Sequence, residues 1–324
     1  MSKLKIGYFG DGPWSHETLK ILAMRKDDFD IAFVAPRFDY QDPELCKLAK
    51  ELGLSVKIFK NVNAPDALEK IRLYNLDLIV SMSFNQILKA PILELPRIGA
   101  VNCHAGALPK YRGRNVLNWA LINGESEFGV TAHFVDLGID TGDILHQEML
   151  PIHKKAKYGD LLALAYEACP RVLIAALDKI LNKSVTTQPQ AKLGAGFYCG
   201  RRKPGDEWID WSWSADRIVN FVRAISSPGP GAITAIDGKI VEILDASYDA
   251  DHPSYICTEG EIVGSDDSGV WVKASDRTVR LESCRNYGEQ GCYTPRWQLG
   301  KRMVNKLEYR LSQVEILERA KSDN

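Results

Sequence analysis

Residues 5–35, KIGYFGDGPWSHETLKILAMRKDDFDIAFVA, carry the decisive pattern. Lys5–Gly10 is a short apolar run, His16–Lys26 has apolar residues at helical spacing, and Ile31–Ala35 is apolar again. The stretch therefore reads as strand, helix, strand. Working outward, Val56–Phe59, Leu76–Met82, Gly99–His104 and Gly129–Val135 are further strand candidates, with helical spacing in Asp42–Leu52, Pro65–Tyr74 and Asn115–Asn123. Pro43 and Pro65 stand where a first helical turn tolerates proline. Such alternation predicts an α/β fold whose N-terminal domain is a Rossmann-like parallel sheet covered by helices on both faces. Polar, glycine-containing or Asn-rich loops follow four of the strands, at Gly10–Trp14, Ser83–Gln86, His104–Gly113 and Asp136–Asp143. In an open parallel sheet these loops converge where ligands bind.

The second half reads differently. Gly159–Leu181 has the wide apolar stripe of a long helix, and Gln188–Gly205 then loses periodicity and gathers glycines, as a linker does. Asp216–Ile225 is helical in pattern and Ser226–Gly231 (SSPGPG) is a rigid turn. Short alternating runs follow at Ala232–Ile236, Lys239–Asp245, Gly260–Val263, Val270–Lys273 and Thr278–Leu281, with Asp237-Gly238 as a turn signal. They predict a small β-barrel, closed by a terminal helix over Lys301–Lys321. The expected division is 1–205 for a catalytic domain with its linker and 206–324 for the barrel domain with its helix.

Composition narrows the class. With 45% hydrophobic and 26% charged residues the chain is ordinary for a globular protein. No window approaches 18 uninterrupted apolar residues, and the start runs directly into a strand pattern; the expected setting is cytoplasmic, with no membrane partner. Seven cysteines are scattered without a CxxC pair or a His/Cys cluster at zinc spacing, so neither a disulfide framework nor a metal is expected. Asp206 to the end carries 14 Lys and Arg against 20 Asp and Glu, a net of −6, while residues 1–205 carry 27 against 22, a net of +5. An acidic second half speaks against a nucleic-acid partner.

The densest polar cluster is Asn102-Cys103-His104-Ala105-Gly106-Ala107-Leu108-Pro109-Lys110-Tyr111-Arg112-Gly113. On an extended segment Asn102 and His104 point to the same side. Asn102 can donate to an oxygen that gains negative charge and His104 can accept a proton near neutral pH; both could equally be hydrogen-bonded residues at a strand end. The second cluster, Asp136-Leu137-Gly138-Ile139-Asp140-Thr141-Gly142-Asp143, holds three carboxylates at spacings unlike an EF-hand. One of them could orient His104, or the loop could be a turn held by its own Asx bonds. Gly10-Asp11-Gly12-Pro13 invites a dinucleotide-binding reading, but it lacks the third glycine and Pro13-Trp14 would crowd a pyrophosphate. Lys110-Tyr111-Arg112-Gly113-Arg114 alone could serve a non-catalytic anion-binding module; beside NxH it suits a phosphate on a substrate.

NxH at 102–104, LPKYRGR at 108–114, GVT at 129–131 and DLGIDTGDIL at 136–145 together resemble the N10-formyltetrahydrofolate-dependent formyltransferases. The resemblance runs clearly over about Leu4–Asp210. It implies transfer of a formyl group from that folate co-substrate to an amine, with Asn102, His104 and Asp140 as the catalytic set. It also implies that Phe84, Asn85, Gln86, Ile87 and Leu88, with the backbone near Asp136 and Leu137, line the folate pocket. The resemblance further implies that the loop at Gly10–Trp14 faces the acceptor with Trp14 packed on it, and Lys110, Tyr111 and Arg112 are expected at its phosphate. One departure is Gly106-Ala107-Leu108-Pro109, where the family usually has SLLP. Residues 198–204 (YCGRRKP), with LPKYRGRN and LNWALINGE, are closer to the enzyme acting on a UDP-linked 4-amino sugar. Together with the acidic second half, this makes a nucleotide-linked 4-amino sugar the expected acceptor, as in lipopolysaccharide biosynthesis. Methionyl-tRNA and simple formyl-folate hydrolysis are the alternatives. Partners are then the nucleotide sugar and the folate, without nucleic acid, and a homodimer is compatible with this reading.

Overall fold

A computed structural model describes residues 3–322. The chain forms two compact units: one holds residues up to Val116, Glu127–Pro151 and Leu162–Arg201, and the other holds Leu117–Ser126, Ile152–Leu161 and the chain from Arg202 onward.

In the first unit the strands are β1 (Leu4–Gly10), β2 (Phe29–Ala35), β3 (Leu78–Met82), β4 (Gly99–His104), β5 (Arg112–Gly113), β6 (Glu127–Phe134), β7 (Ile144–Pro151) and β8 (Tyr198–Cys199). The main sheet has the order β2-β1-β3-β4-β6-β7, and β5 pairs separately with β8. From β2 to β4 the pairing is parallel, and β6 and β7 are antiparallel additions. The parallel strands are apolar on both sides, β3 being buried throughout, as a sheet covered on two faces requires. The helices are α1 (Pro13–Met24), α2 (Pro43–Glu51), α3 (Pro65–Arg72), α4 (Ala90–Leu93), α5 (Val116–Ile122), which lies mostly in the second unit, and α6 (Tyr158–Leu181), which begins there.

The Val56–Phe59 expectation is corrected: Val56 makes one isolated bridge to Val34 and no strand. That bridge still fixes the winding. From β1 to β2 and on to Val56 the chain moves outward, so right-handed crossovers put α1 and α2 on one face; the return to β3 puts α3 on the other. There Ala67 and Ile71 join Phe9, Phe33, Phe59 and Ile79 in one core. Asp42 ties the first face together at its top. Its carboxylate caps α2 through the Glu44 and Leu45 amides and also accepts from Gly12 N (2.9 Å) and His16 Nε2 (2.6 Å).

The second unit adds α7 (Ala215–Ala224), capped by Ser214, then β9 (Ala232–Ile236), β10 (Lys239–Ser247), β11 (Ile262–Asp266), β12 (Gly269–Lys273), β13 (Thr278–Asn286) and α8 (Lys306–Ser322). The five strands form an antiparallel sheet in the order β11-β12-β13-β10-β9. Asp237 and Gly238, both at positive φ (51° and 72°), make the tight β9–β10 turn. The terminal helix begins later than expected, because Gly300–Val304 is used to close the sheet. Its backbone bonds to Ile262 and Gly260 beside one edge strand, β11, and to Ala235 in the other, β9. Among the described residues no helix is long and apolar enough to cross a membrane.

Candidate active site

The sheet order reverses between β1 and β3, since the chain builds outward from β1 and returns past it. Beyond the carboxyl ends of β1, β3 and β4 lies a cavity of about 990 Å³, lined by Trp14, Ser81–Leu88, Asn102–Ala105, Gly113–Val116, His133 and Asp140 among others. Such a switch point leaves a crevice that no crossover helix fills.

Strand alternation on β4 sends Asn102 and His104 to one side and Cys103 to the other, where its thiol meets the Cys169 carbonyl at 3.4 Å. The antiparallel register of β4 and β6 sets Asn102 opposite His133, with Asn102 Nδ2 3.4 Å from His133 Nε2. The loop after β6 turns back at Asp140, which holds φ +53°. This brings the Asp140 carboxylate 3.7 Å from His104 Nδ1 and 3.6 Å from His133 Nε2. One close bond fixes it, from the Gly113 amide at 2.9 Å.

The ring roles follow from the acceptors they face. His104 Nε2 is 2.7 Å from the Tyr111 carbonyl and His133 Nδ1 is 2.7 Å from the Phe134 carbonyl. A carbonyl only accepts, so each of these nitrogens carries the hydrogen, leaving His104 Nδ1 and His133 Nε2 to face Asp140 and Asn102. Burial acts to raise the Asp140 carboxyl, but the two imidazoles of His104 and His133 beside it and the Gly113 amide outweigh that effect and hold the group well below the usual carboxylate range. Burial pushes the Cys199 thiol up to about 11 and Cys103 well above its ordinary value, which disfavours their thiolates.

The structure thus brings Asn102, His104 and Asp140 into one cluster and adds His133, which the sequence reading did not single out. A lone histidine in the apolar run Val130–Val135 is its only sequence signal, and its partner becomes visible only with the β4–β6 register. Gln190 is the second residue missed. It lies in the expected linker, 3% exposed, and donates through Nε2 to the carbonyls of Asp140 (2.9 Å) and Gly142 (2.7 Å).

The other expected residues fall as follows. Phe84 packs edge-on against Phe9 at 5.1 Å, Leu88 is buried in the same core, and the Gln86 side chain spans Val62 N and Phe59 O. Asn85 Nδ2 donates to Asp39, which fixes the amide orientation, and its buried Oδ1 has no partner. Ile87 and Asp136 line the cavity; Leu137 is 72% exposed and does not. Trp14 lines it too, its indole donating to the Asp11 carbonyl and meeting Tyr166 edge-on. Lys110 is exposed, whereas the Tyr111 ring is buried against Phe197 and the Arg112 guanidinium is engaged by Gln190 Oε1 (3.1 and 2.6 Å).

The formyl transferase family matches this chain over residues 23–177, and the C-terminal domain of that family matches over 201–302. A methionyl-tRNA formyltransferase of Geobacter metallireducens is 32% identical over 305 residues, covering 90% of this chain and 93% of the relative. That of Citrifermentans bemidjiense is 33% identical over 251 residues, covering 75% and 78%. Five further relatives, 28–31% identical, carry the same name. Among solved structures, an N-formyltransferase from Helicobacter canadensis, in complex with folinic acid and dTDP-3-aminofucose, superposes with a TM-score of 0.64 at 19% identity, covering 86% of this chain and 99% of that one. At that identity it establishes the fold alone. The nucleotide-sugar acceptor expected from the sequence is overturned by the relatives, all named for methionyl-tRNA, and the exclusion of nucleic acid falls with it. That expectation leaned on net charge summed over half the chain, whereas phosphate recognition depends on the local field at the contact. With both halves of the family matched and relatives aligned over nearly their whole length, the chain belongs to the formyl transferases, the folate-dependent N-formyltransferases.

Proposed function

We propose that this enzyme transfers a formyl group from N10-formyltetrahydrofolate to the α-amino group of methionyl-tRNA. The observation that carries the acceptor is that relatives aligned across both units are named for that reaction. The folate would supply the formyl carbon as an activated amide. Phe84, Asn85, Gln86, Ile87 and Leu88, with the backbone at Asp136, would hold its ring. The buried Asn85 Oδ1, an acceptor without a donor, suits the N–H groups of such a ring.

Asn102 has two amide hydrogens. One faces His133 Nε2, and the other is available to the formyl oxygen as it gains negative charge, a contact of a kind worth about 10²–10³ in rate. As the acceptor nitrogen bonds to the formyl carbon it loses a proton, which His104 Nδ1 can take because Nε2 already donates to Tyr111. Asp140, held ionised, steadies the imidazolium so formed. The bond from carbon to the departing nitrogen then breaks, and the proton is returned to that nitrogen. Lys110, with Trp14 at the rim, is proposed to meet the acceptor, while the Arg112 guanidinium is taken up by Gln190.

Purified enzyme given the folate donor and either methionyl-tRNA or UDP-, dTDP- and GDP-linked amino sugars should yield formyl-methionyl-tRNA. Formylation of an amino sugar with none of the tRNA would sink this reading.

A further inference from the structure

We infer that Gln190 is a positioning residue that sets the Asp140 carboxylate through the backbone of its loop; the inference rests on the proposed role of Asp140. A primary amide has two donor hydrogens and two acceptor lone pairs. Gln190 uses all four: Nε2 donates to the Asp140 and Gly142 carbonyls, and Oε1 receives the Nε and a terminal nitrogen of Arg112. For a side chain 3% exposed, lying between a surface loop and a linker, this is complete satisfaction without water.

What the amide grips is the turn that aims Asp140. Its φ of +53° lies in the left-handed region, sparsely populated by residues other than glycine, so the turn persists only if its surroundings hold it. On one side Gly142 backs against the Phe134 carbonyl, leaving no room for a side chain. On the other, Gln190 draws two carbonyls to a single nitrogen. Arg112 closes the circuit. Its side chain holds Gln190 while the next residue, Gly113, donates its amide to the Asp140 carboxylate at 2.9 Å. Backbone and carboxylate of Asp140 are therefore referenced to the same two residues, which the β5–β8 pairing fixes to the linker. The 3.6 and 3.7 Å gaps to the two imidazoles have no direct hydrogen bond to maintain them, so the loop must. Displacements on the order of 1 Å at such a site cost up to about a hundredfold in rate.

The test is a double-mutant cycle, read in single turnover with methionyl-tRNA and the folate donor, with melting temperature measured alongside. Gln190→Met keeps the shape and deletes all four bonds; Gln190→Glu turns two donors toward carbonyls into acceptors. Each should lower the chemical rate at least about tenfold with KM for both substrates within about twofold. Added to Asp140→Asn, either change should cost less than about twofold, because the group it positions is already gone. Arg112→Met, which removes only the far end of the circuit, should lower the rate less and likewise lose its effect in Asp140→Asn. Equal losses in both backgrounds would make Gln190 merely structural and overturn the inference, as would an unchanged rate. Should a Gln190 variant not fold, Arg112→Met decides by the same criterion. Near-normal turnover in Asp140→Asn alone would instead remove the catalytic reading on which the inference stands.

Discussion

Two carboxylates, Glu242 buried in one unit and Asp140 half-buried in the other, are held in opposite ways. Glu242 on β10 is clamped by Arg285, whose terminal nitrogen lies 2.6 Å from both carboxylate oxygens while Nε reaches one at 3.0 Å. Asp140 has one short bond, from a backbone amide, and faces two imidazoles across gaps of 3.6 and 3.7 Å. The first pair is complete and has no reason to change. The second keeps a full charge beside groups that can gain or lose a proton. The two regions also differ in field, residues 1–205 carrying a net of +5 and the rest a net of −6. Satisfaction marks a structural carboxylate, and incompleteness a working one.

The largest expected effect breaks or supports this contrast directly. Asp140→Asn and His104→Asn should each lower kcat at least about a hundredfold while the melting temperature stays within a few degrees. Glu242→Gln should do the reverse. It leaves Arg285 facing a neutral amide and should lower the urea midpoint, by less than loss of a fully buried pair would because Arg285 is 35% exposed. Its kcat at a permissive temperature should stay within about twofold. A catalytic loss in Glu242→Gln larger than its stability loss explains would erase the distinction.

Acid sharpens it further. The Asp140 carboxyl ionises in the fold well below its ordinary 3.8, so the unfolded chain takes up that proton first as pH falls. The stabilisation is complete above about pH 4 and is lost as the pH drops from there through the lower folded value. Wild-type stability should therefore fall more steeply than that of Asp140→Asn below about pH 4, with parallel curves above it. Equal slopes throughout would mean that the imidazoles and the Gly113 amide do not hold the charge.

The parallel core and the β4 cluster were legible because they are local: a buried strand ending in NxH dictates its own geometry through alternation. What needed register was not. β7 (Ile144–Pro151) escaped notice because its middle, His146–Glu148, is polar, so only pairing with β6 defines it. His133 and Gln190 become site residues through partners 31 and 50 positions away in sequence. Gly300–Val304 has no strand-like alternation and is extended because two unpaired sheet edges recruit it. The acceptor was misread for a related reason, since a summed charge carries no positions.

The smallest expected effect concerns that charge. Arg114 and Lys110 are exposed on the unit with the positive balance, Arg114 lining the catalytic cavity. If methionyl-tRNA is the acceptor, its phosphates are met here and not across the acidic second half. Lys110→Ala and Arg114→Ala should each raise KM for methionyl-tRNA a few-fold with kcat unchanged, as expected when binding common to ground and transition states is removed. Each lost phosphate contact should also flatten the dependence of log(kcat/KM) on log salt by about 0.7–0.9, because one fewer counterion is released. Exposed acidic residues of the second unit, such as Asp267, should give the opposite sign when neutralised: a lower KM at low salt that converges on wild type as salt rises. A salt slope unchanged by Lys110→Ala and Arg114→Ala, but altered by neutralising the second unit, would move the tRNA contact there and reverse the assignment of the two regions.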